Sequence, residues 1–280
     1  MKKSPTAKTK KTAPKKKTIP KKKSVLKKET EPFPIVAIGA SAGGLEAVSE
    51  LLKNLPAKTG MAYIYVQHLS KDHKSQLPEI LSGITKMKVQ VIQQMEHMFP
   101  DNVYVIPSTK GIEVTDGHIR LLPRAKSGES LTIDVLFSSL AETHQENVIG
   151  VILSGNGHDG TIGLQSIRNM GGITFAQDDS ASNKSMPEHA IATEVVDFVL
   201  SPKEIALKLA HINKNGILRD HREGESVNAI SENDPDLNII FKLLHKNNDV
   251  DFSHYKMATV RRRIQHRMLK SGVDTIKEYA

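Results

Sequence analysis

The sequence predicts an α/β domain built on a doubly wound, mainly parallel sheet with a small antiparallel hairpin, followed by a short all-α C-terminal piece. Three observations predict it. Short apolar, β-branch-rich runs alternate with segments of helical period from Pro34 to Ile212, the pattern of strands and crossover helices. That alternation is interrupted where Val103-Tyr104-Val105-Ile106 and Ile119-Arg120-Leu121-Leu122 flank Thr115-Asp116-Gly117, which points to a hairpin. After a polar stretch the remaining sequence is helical in pattern and too short for a second large domain.

Taken in order, residues 1–31 are low-complexity Lys, Pro, Thr and Ser, with thirteen lysines against Glu29 and Glu31. So little apolar content cannot offset ordering entropy, and a disordered tail is expected. No aromatic residue is interleaved to stack bases, so the tail reads as a solvated spacer rather than a nucleic-acid or lipid contact. The tail carries a net charge of +11, whereas the whole chain carries +8, so the body is net −3 and a basic nucleic-acid-binding face on it is not indicated.

The α/β domain is expected over 32–212. It opens with Ile35–Ile38 as a strand, six small residues from Gly39 to Gly44 as a tight turn, and Leu45, Val48, Leu51, Leu52 and Leu55 at helical spacing. Further strands are expected at Ala62–Gln67, Val89–Val91, Val103–Ile106, Val148–Leu153, Ile173–Ala176 and Phe198–Leu200. Helices are expected at Gln76–Ser82, Val135–Thr143, Gly160–Asn169, Pro187–Thr193 and Pro202–Ile212. Residues 213–233 read as a linker, and 234–280 as a helical region with helices at Leu237–Leu244 and Ala258–Leu269. The absence of cysteine excludes disulfides, thiolate catalysis and cysteine metal sites, and fits a cytoplasmic, reducing compartment. No apolar run approaches the roughly 18 residues of a membrane helix, and the lysine-rich start lacks the apolar core of a secretory signal.

Ser41 sits in the first turn, at the carboxyl end of a strand and beside a helix start that stabilises negative charge. Gly39-x-Ser41-x-Gly43 fits a nucleophile elbow, and it also fits a phosphate-cradling turn. The dinucleotide fingerprint is incomplete, because Ser41 replaces the middle glycine and the next strand ends in Gln67-His68 rather than an acidic residue. Two further strand ends bear chemistry: His68, and Asp159 in Ser154-Gly155-Asn156-Gly157-His158-Asp159-Gly160. Serine, imidazole and carboxylate are the components of a hydrolytic triad. Each has a plainer reading: His68 as a solvated strand end, Asp159 as the cap of the following helix, and the glycines as a second phosphate turn. The chain order Ser, His, Asp departs from that of α/β-hydrolases.

Gly39-Ala40-Ser41-Ala42-Gly43-Gly44, Gln67-His68 and Ser154 to Gly160, with Ile133-Asp134-Val135-Leu136-Phe137 and Ser185-Met186-Pro187-Glu188, resemble the CheB-type protein-glutamate methylesterase domain over about Pro34–Ile212. The resemblance implies a triad of Ser41, His68 and Asp159, with backbone N–H groups of Ala42 and Asn156 as the oxyanion hole. It implies hydrolysis of γ-glutamyl methyl esters on chemoreceptor cytoplasmic domains to glutamate and methanol, with glutamine deamidation as a second activity, and needs no metal or cofactor. Other chemosensory proteins are implied as partners; no specific nucleic acid and no membrane insertion are expected.

Departures are Ala42 where the family commonly has Thr, Asn156 where it has Met, and Glu129-Ser130-Leu131-Thr132 where Arg and Pro are common. They leave the alternative of a weakly active or inactive signalling scaffold. Asp251-Phe252-Ser253-His254-Tyr255-Lys256 and Thr259-Val260-Arg261-Arg262-Arg263-Ile264-Gln265-His266-Arg267-Met268 resemble the helical N-terminal part of the CheR-type receptor methyltransferase. No glycine-rich donor-binding motif follows, so methyl transfer is not expected. No receiver-like segment precedes the α/β domain, so no autoinhibition by a receiver is expected.

Overall fold

The computed structural model describes residues 33–67, 76–107, 110–115, 118–123, 131–214, 230, 234–248 and 257–280. The chain divides into Met1–Glu31 and Pro32–Ala280. The first unit, on which the expectation of a disordered spacer falls, lies outside the described residues.

The second unit contains a seven-stranded sheet in the order β3-β4-β2-β1-β7-β8-β9 and a separate two-stranded ribbon, β5-β6. The strands are β1 (Ile35–Ala40), β2 (Ala62–Gln67), β3 (Lys88–Val91), β4 (Asn102–Val105), β5 (Lys110–Thr115), β6 (His118–Pro123), β7 (Val148–Ile152), β8 (Ile173–Gln177) and β9 (Phe198–Leu200). Every pairing in the large sheet is parallel. The helices of the α/β part are α1 (Gly44–Asn54), α2 (Leu77–Ser82), α3 (Thr132–His144), α4 (Thr161–Asn169), α5 (Ser185–Ala192) and α6 (Pro202–Lys214).

Residues of β1 are buried on both faces, as a central parallel strand requires. Val36, Ile38 and Ala40 pack in one layer with Val48, Leu51 and Leu52 of α1 and Ile205, Leu209 and Ile212 of α6. Ile35 and Ala37 face the opposite layer, with Leu136, Phe137 and Leu140 of α3 and Leu164 and Ile167 of α4. Helices on both faces make the sheet doubly wound.

The hairpin is present, but Val103–Ile106 is not its first strand. Val103, Tyr104 and Val105 are all buried and lie in β4, between β3 and β2. Such a continuous apolar run suits a sheet interior. The partner of β6 is β5, whose Lys110-Gly-Ile-Glu-Val-Thr115 buries only Ile112 and Val114, the period of a ribbon covered on one side.

The C-terminal helices are α7 (Pro235–Asn248), α8 (Met257–Ser271) and α9 (Ile276–Tyr279). Leu237, Ile240, Val260, Ile264 and Met268 form their own small core, which Ile230, within the expected linker, joins. The one-turn α9 carries a capping box of Thr275 and Glu278. Among the described residues no helix is long and apolar enough to cross a membrane.

Candidate active site

Strand β1 pairs with β2 on one side and β7 on the other, so the strand order reverses at β1. Outside the carboxyl ends of β1 and β7 lies the crevice where open α/β sheets bind ligands. Ser41 leaves β1 there, and Ser154 to Gly160 leave β7.

Hydrogen bonds hold the two loops together. The Ser41 N–H donates to Ser154 O at 3.0 Å, and the Leu153 N–H to Gly39 O at 2.9 Å. The buried Ser154 hydroxyl donates to Ala42 O at 2.8 Å and accepts the Asn183 N–H at 3.0 Å. From the other side, Gln67 Nε2 donates to Ser41 O at 3.1 Å, and Tyr65 OH donates to Gln67 Oε1 at 3.1 Å. Burial, reinforced by Glu46, pushes the Tyr65 phenol far above its ordinary range, so it remains a donor.

Both main-chain groups of half-buried Ser41 are thus engaged, and the turn is fixed while the side chain stays reachable. Gly155 permits the close approach: a Cβ there would lie 3.0 Å from Ser41 Cβ and 2.7 Å from Met186 Sδ. Gly43 has φ +73° and leaves room for Ser154 Oγ, which a Cβ would meet at 2.6 Å.

Asp159 is buried, and its carboxylate accepts the Ile133 N–H at Oδ2 and the Asp134 N–H at Oδ1, both at 2.9 Å. It therefore binds the start of α3, not α4 as the capping alternative expected. The N-cap of α4 is Gly160, without a side-chain cap. Asp134 reciprocates by accepting the Gly163 N–H of α4 at 2.7 Å. Burial raises the Asp134 carboxyl above its usual range; the Gly163 N–H opposes the rise and neighbouring Asp159 adds to it.

Ala42 and Asn156 are exposed, and among the described residues no acceptor engages the N–H of either. His68, the expected base, lies outside the described residues. No group of three or more metal-ligating side chains occurs among the described residues. The structure thus brings together Ser41, Ala42, Asn156 and the loop that carries Asp159. Sequence reading did not assign roles to Tyr65, the Ser154 hydroxyl or Asn183. Tyr65 and Gln67 occupy alternate positions at the end of β2, so a shared face was legible; Asn183 lies in a loop without a periodic signal.

A family model described as CheB methylesterase matches residues 36–209. The chain belongs to the CheB methylesterase family. A second model, the all-alpha domain of CheR methyltransferase, matches residues 235–280. A putative protein-glutamate methylesterase/protein-glutamine glutaminase of Leptospira interrogans is 31% identical over 196 residues, 66% of this chain and 97% of that protein. The protein-glutamate methylesterase/protein-glutamine glutaminase 2 of Burkholderia lata is 35% identical over 62% of this chain. The protein-glutamate methylesterase FrzG of Myxococcus xanthus is 35% identical over 64% of it. The chain spans about half the length of these last two relatives, 52% and 54%. Among solved structures, the CheB methylesterase catalytic domain of Thermotoga maritima aligns with a TM-score of 0.59 and 27% identity, covering 65% of this chain and 99% of that one. The CheB-type fold is therefore shared across the α/β domain, and a hydrolase of the methylesterase class is the activity the family supports.

Proposed function

We propose that this chain is a protein-glutamate methylesterase acting through Ser41, His68 and Asp159 on γ-glutamyl methyl esters of chemoreceptor cytoplasmic domains, in the cytoplasm. The observation that carries the reading is the bond from the Ser41 N–H to Ser154 O, which joins the serine turn to the Asp159 loop at the switch point. Ser41 Oγ attacks the ester carbonyl while His68 takes its proton, and Asp159 orients the imidazole and stabilises its charged form. The backbone N–H groups of Ala42 and Asn156 receive the oxyanion. Collapse of the tetrahedral adduct expels methanol with the proton from His68. Water, activated by the same base, then releases the glutamate and regenerates Ser41. With ammonia as leaving group, the same steps deamidate glutamine.

The domain division into a tail at 1–31, an esterase at 32–212, a linker at 213–233 and a helical region at 234–280 accompanies this reading. Because Ala42 and Asn156 act through main-chain atoms, their side-chain departures alter rate and substrate fit rather than mechanism. The test is methanol release from methylated receptor fragments by wild type and by Ser41→Ala. Release that disappears in Ser41→Ala supports the enzyme. No release by wild type from several receptors favours the signalling scaffold.

A further inference from the structure

Helix α8 carries two stripes on opposite sides. Val260, Ile264 and Met268 recur every four residues and are buried in the C-terminal core. Arg262, His266 and Lys270 repeat that spacing two residues further on, about 200° around the helix, and meet the α/β domain. The Arg262 guanidinium pairs with Glu146 and lies against Gly171. His266 Nε2 is 3.2 Å from Asp197 Oδ2, and Lys270 Nζ is 3.1 Å from Asp197 Oδ1. Between His266 and Lys270, Leu269 enters the same apolar layer as Ile205, Leu209 and Ile212 of α6. Lys208 Nζ donates to the Leu269 carbonyl at 3.0 Å, a cation at the end of a helix where the dipole favours it. His211 and Asp274 pair at 3.1 Å beside it.

Asp197 is the centre of this contact. Its side chain is 3% exposed, and Oδ2 accepts the Thr174 N–H at 3.1 Å and lies 3.1 Å from the Thr174 hydroxyl, whose proton goes to Val195 O at 2.6 Å. Those contacts use one oxygen. The other oxygen, Oδ1, accepts a hydrogen bond from Lys270 on α8. A buried carboxylate is costly unless it is paired, and here the pairing cation, Lys270, belongs to the C-terminal helix.

The contact also has a defined place in the fold. Glu146 lies two residues before β7, Gly171 two before β8 and Asp197 directly before β9. Because these strands are parallel, the three residues mark the amino edge of the sheet. Ser41, Ser154 and Asp159 lie at the carboxyl edge.

We propose that the amino edge of the sheet is a docking surface for α8, which it reads through Arg262, His266 and Lys270 at i, i+4 and i+8, and that it tethers the helical region to the face opposite the candidate active site. Arg263 and Arg267, both exposed, stay outside the contact and available to another acidic surface. While α8 is docked, Arg262, His266 and Lys270 are withheld from such a surface.

The chain has no cysteine, so nitroxide labels can be placed specifically on the full chain at Lys53→Cys in α1 and Lys277→Cys in α9. Pulsed electron–electron resonance should give one narrow distance peak. Adding Arg262→Glu and Lys270→Glu sets carboxylates against Glu146 and Asp197 without altering the α/β domain; most of the narrow peak should be lost. The exchange Glu146→Lys with Arg262→Glu restores opposite charges and should keep the peak. A broad distribution in the otherwise unmodified chain, a narrow peak that survives Arg262→Glu/Lys270→Glu, or its loss in the exchanged pair would each overturn the proposal.

Discussion

Replacing Asp159 with Asn tests how much of its burial serves the fold. The carboxylate accepts two backbone N–H groups at 2.9 Å at the start of α3. Asparagine keeps one acceptor and turns an NH2 toward the other N–H, so one charge-assisted bond, about 1.5–3 kcal/mol, is lost and its donor is stranded. Loss of the negative charge at the helix N-terminus adds about 0.3–1 kcal/mol. Relief of the repulsion that raises Asp134 offsets part of this. The net expectation is a loss of about 2–3 kcal/mol, or about 5–10 °C in Tm for a domain of this size. Urea denaturation followed by circular dichroism measures it, together with methanol release. A change below about 0.5 kcal/mol, the range of ordinary surface substitutions, would refute the claim that the carboxylate anchors α3.

Ser154→Ala strands the Ala42 carbonyl and the Asn183 N–H; it should cost about 1–3 kcal/mol in thermal denaturation and lower kcat more than it raises KM. Gly155→Ala drives a methyl to within 3.0 Å of Ser41 Cβ and should slow methanol release by about tenfold or more, because sub-ångström misplacement of a reacting group is costly. Burial alone would raise the Asp197 carboxyl, but His266 and Lys270 outweigh it and hold it at about 2, below the ordinary 3.8. The unfolded chain therefore takes up this proton first on acidification. The carboxylate's contribution, about 2 kcal/mol, is complete above pH about 4 and disappears as pH falls through about 2. Urea titrations of wild type and Asp197→Asn should show a stability gap at pH 6 that closes across that interval.

The parallel sheet was legible because central strands such as Ile35–Ile38 and Val148–Leu153 are uninterrupted apolar runs, and α1 follows with a clean helical period. Strand β5 was not, because Lys110-Gly111 and Glu113 dilute a pattern that only Ile112 and Val114 carry. The serine turn and the loop after β7 were visible as clusters of glycine around chemically active residues. Their connection through the Ser154 hydroxyl and Asn183 was hidden, since it depends on a tertiary contact between residues 29 apart. Asp159 illustrates the same limit. Its position before an apolar helical run matched a local cap for α4, whereas the N–H groups it binds are those of Ile133 and Asp134 at the start of α3. The role of Asp197 was equally invisible, because its α8 neighbours His266 and Lys270 lie more than sixty positions along the chain.

The most direct test of the central claim is to treat the protein with a fluorophosphonate that reacts with activated serine hydroxyls and to locate the adduct by peptide mass spectrometry. The account predicts a single adduct on Ser41, forming in step with the loss of methanol release from methylated receptor fragments. Full methanol release from protein modified at Ser41, or loss of release with the adduct on another residue and Ser41 untouched, would contradict it.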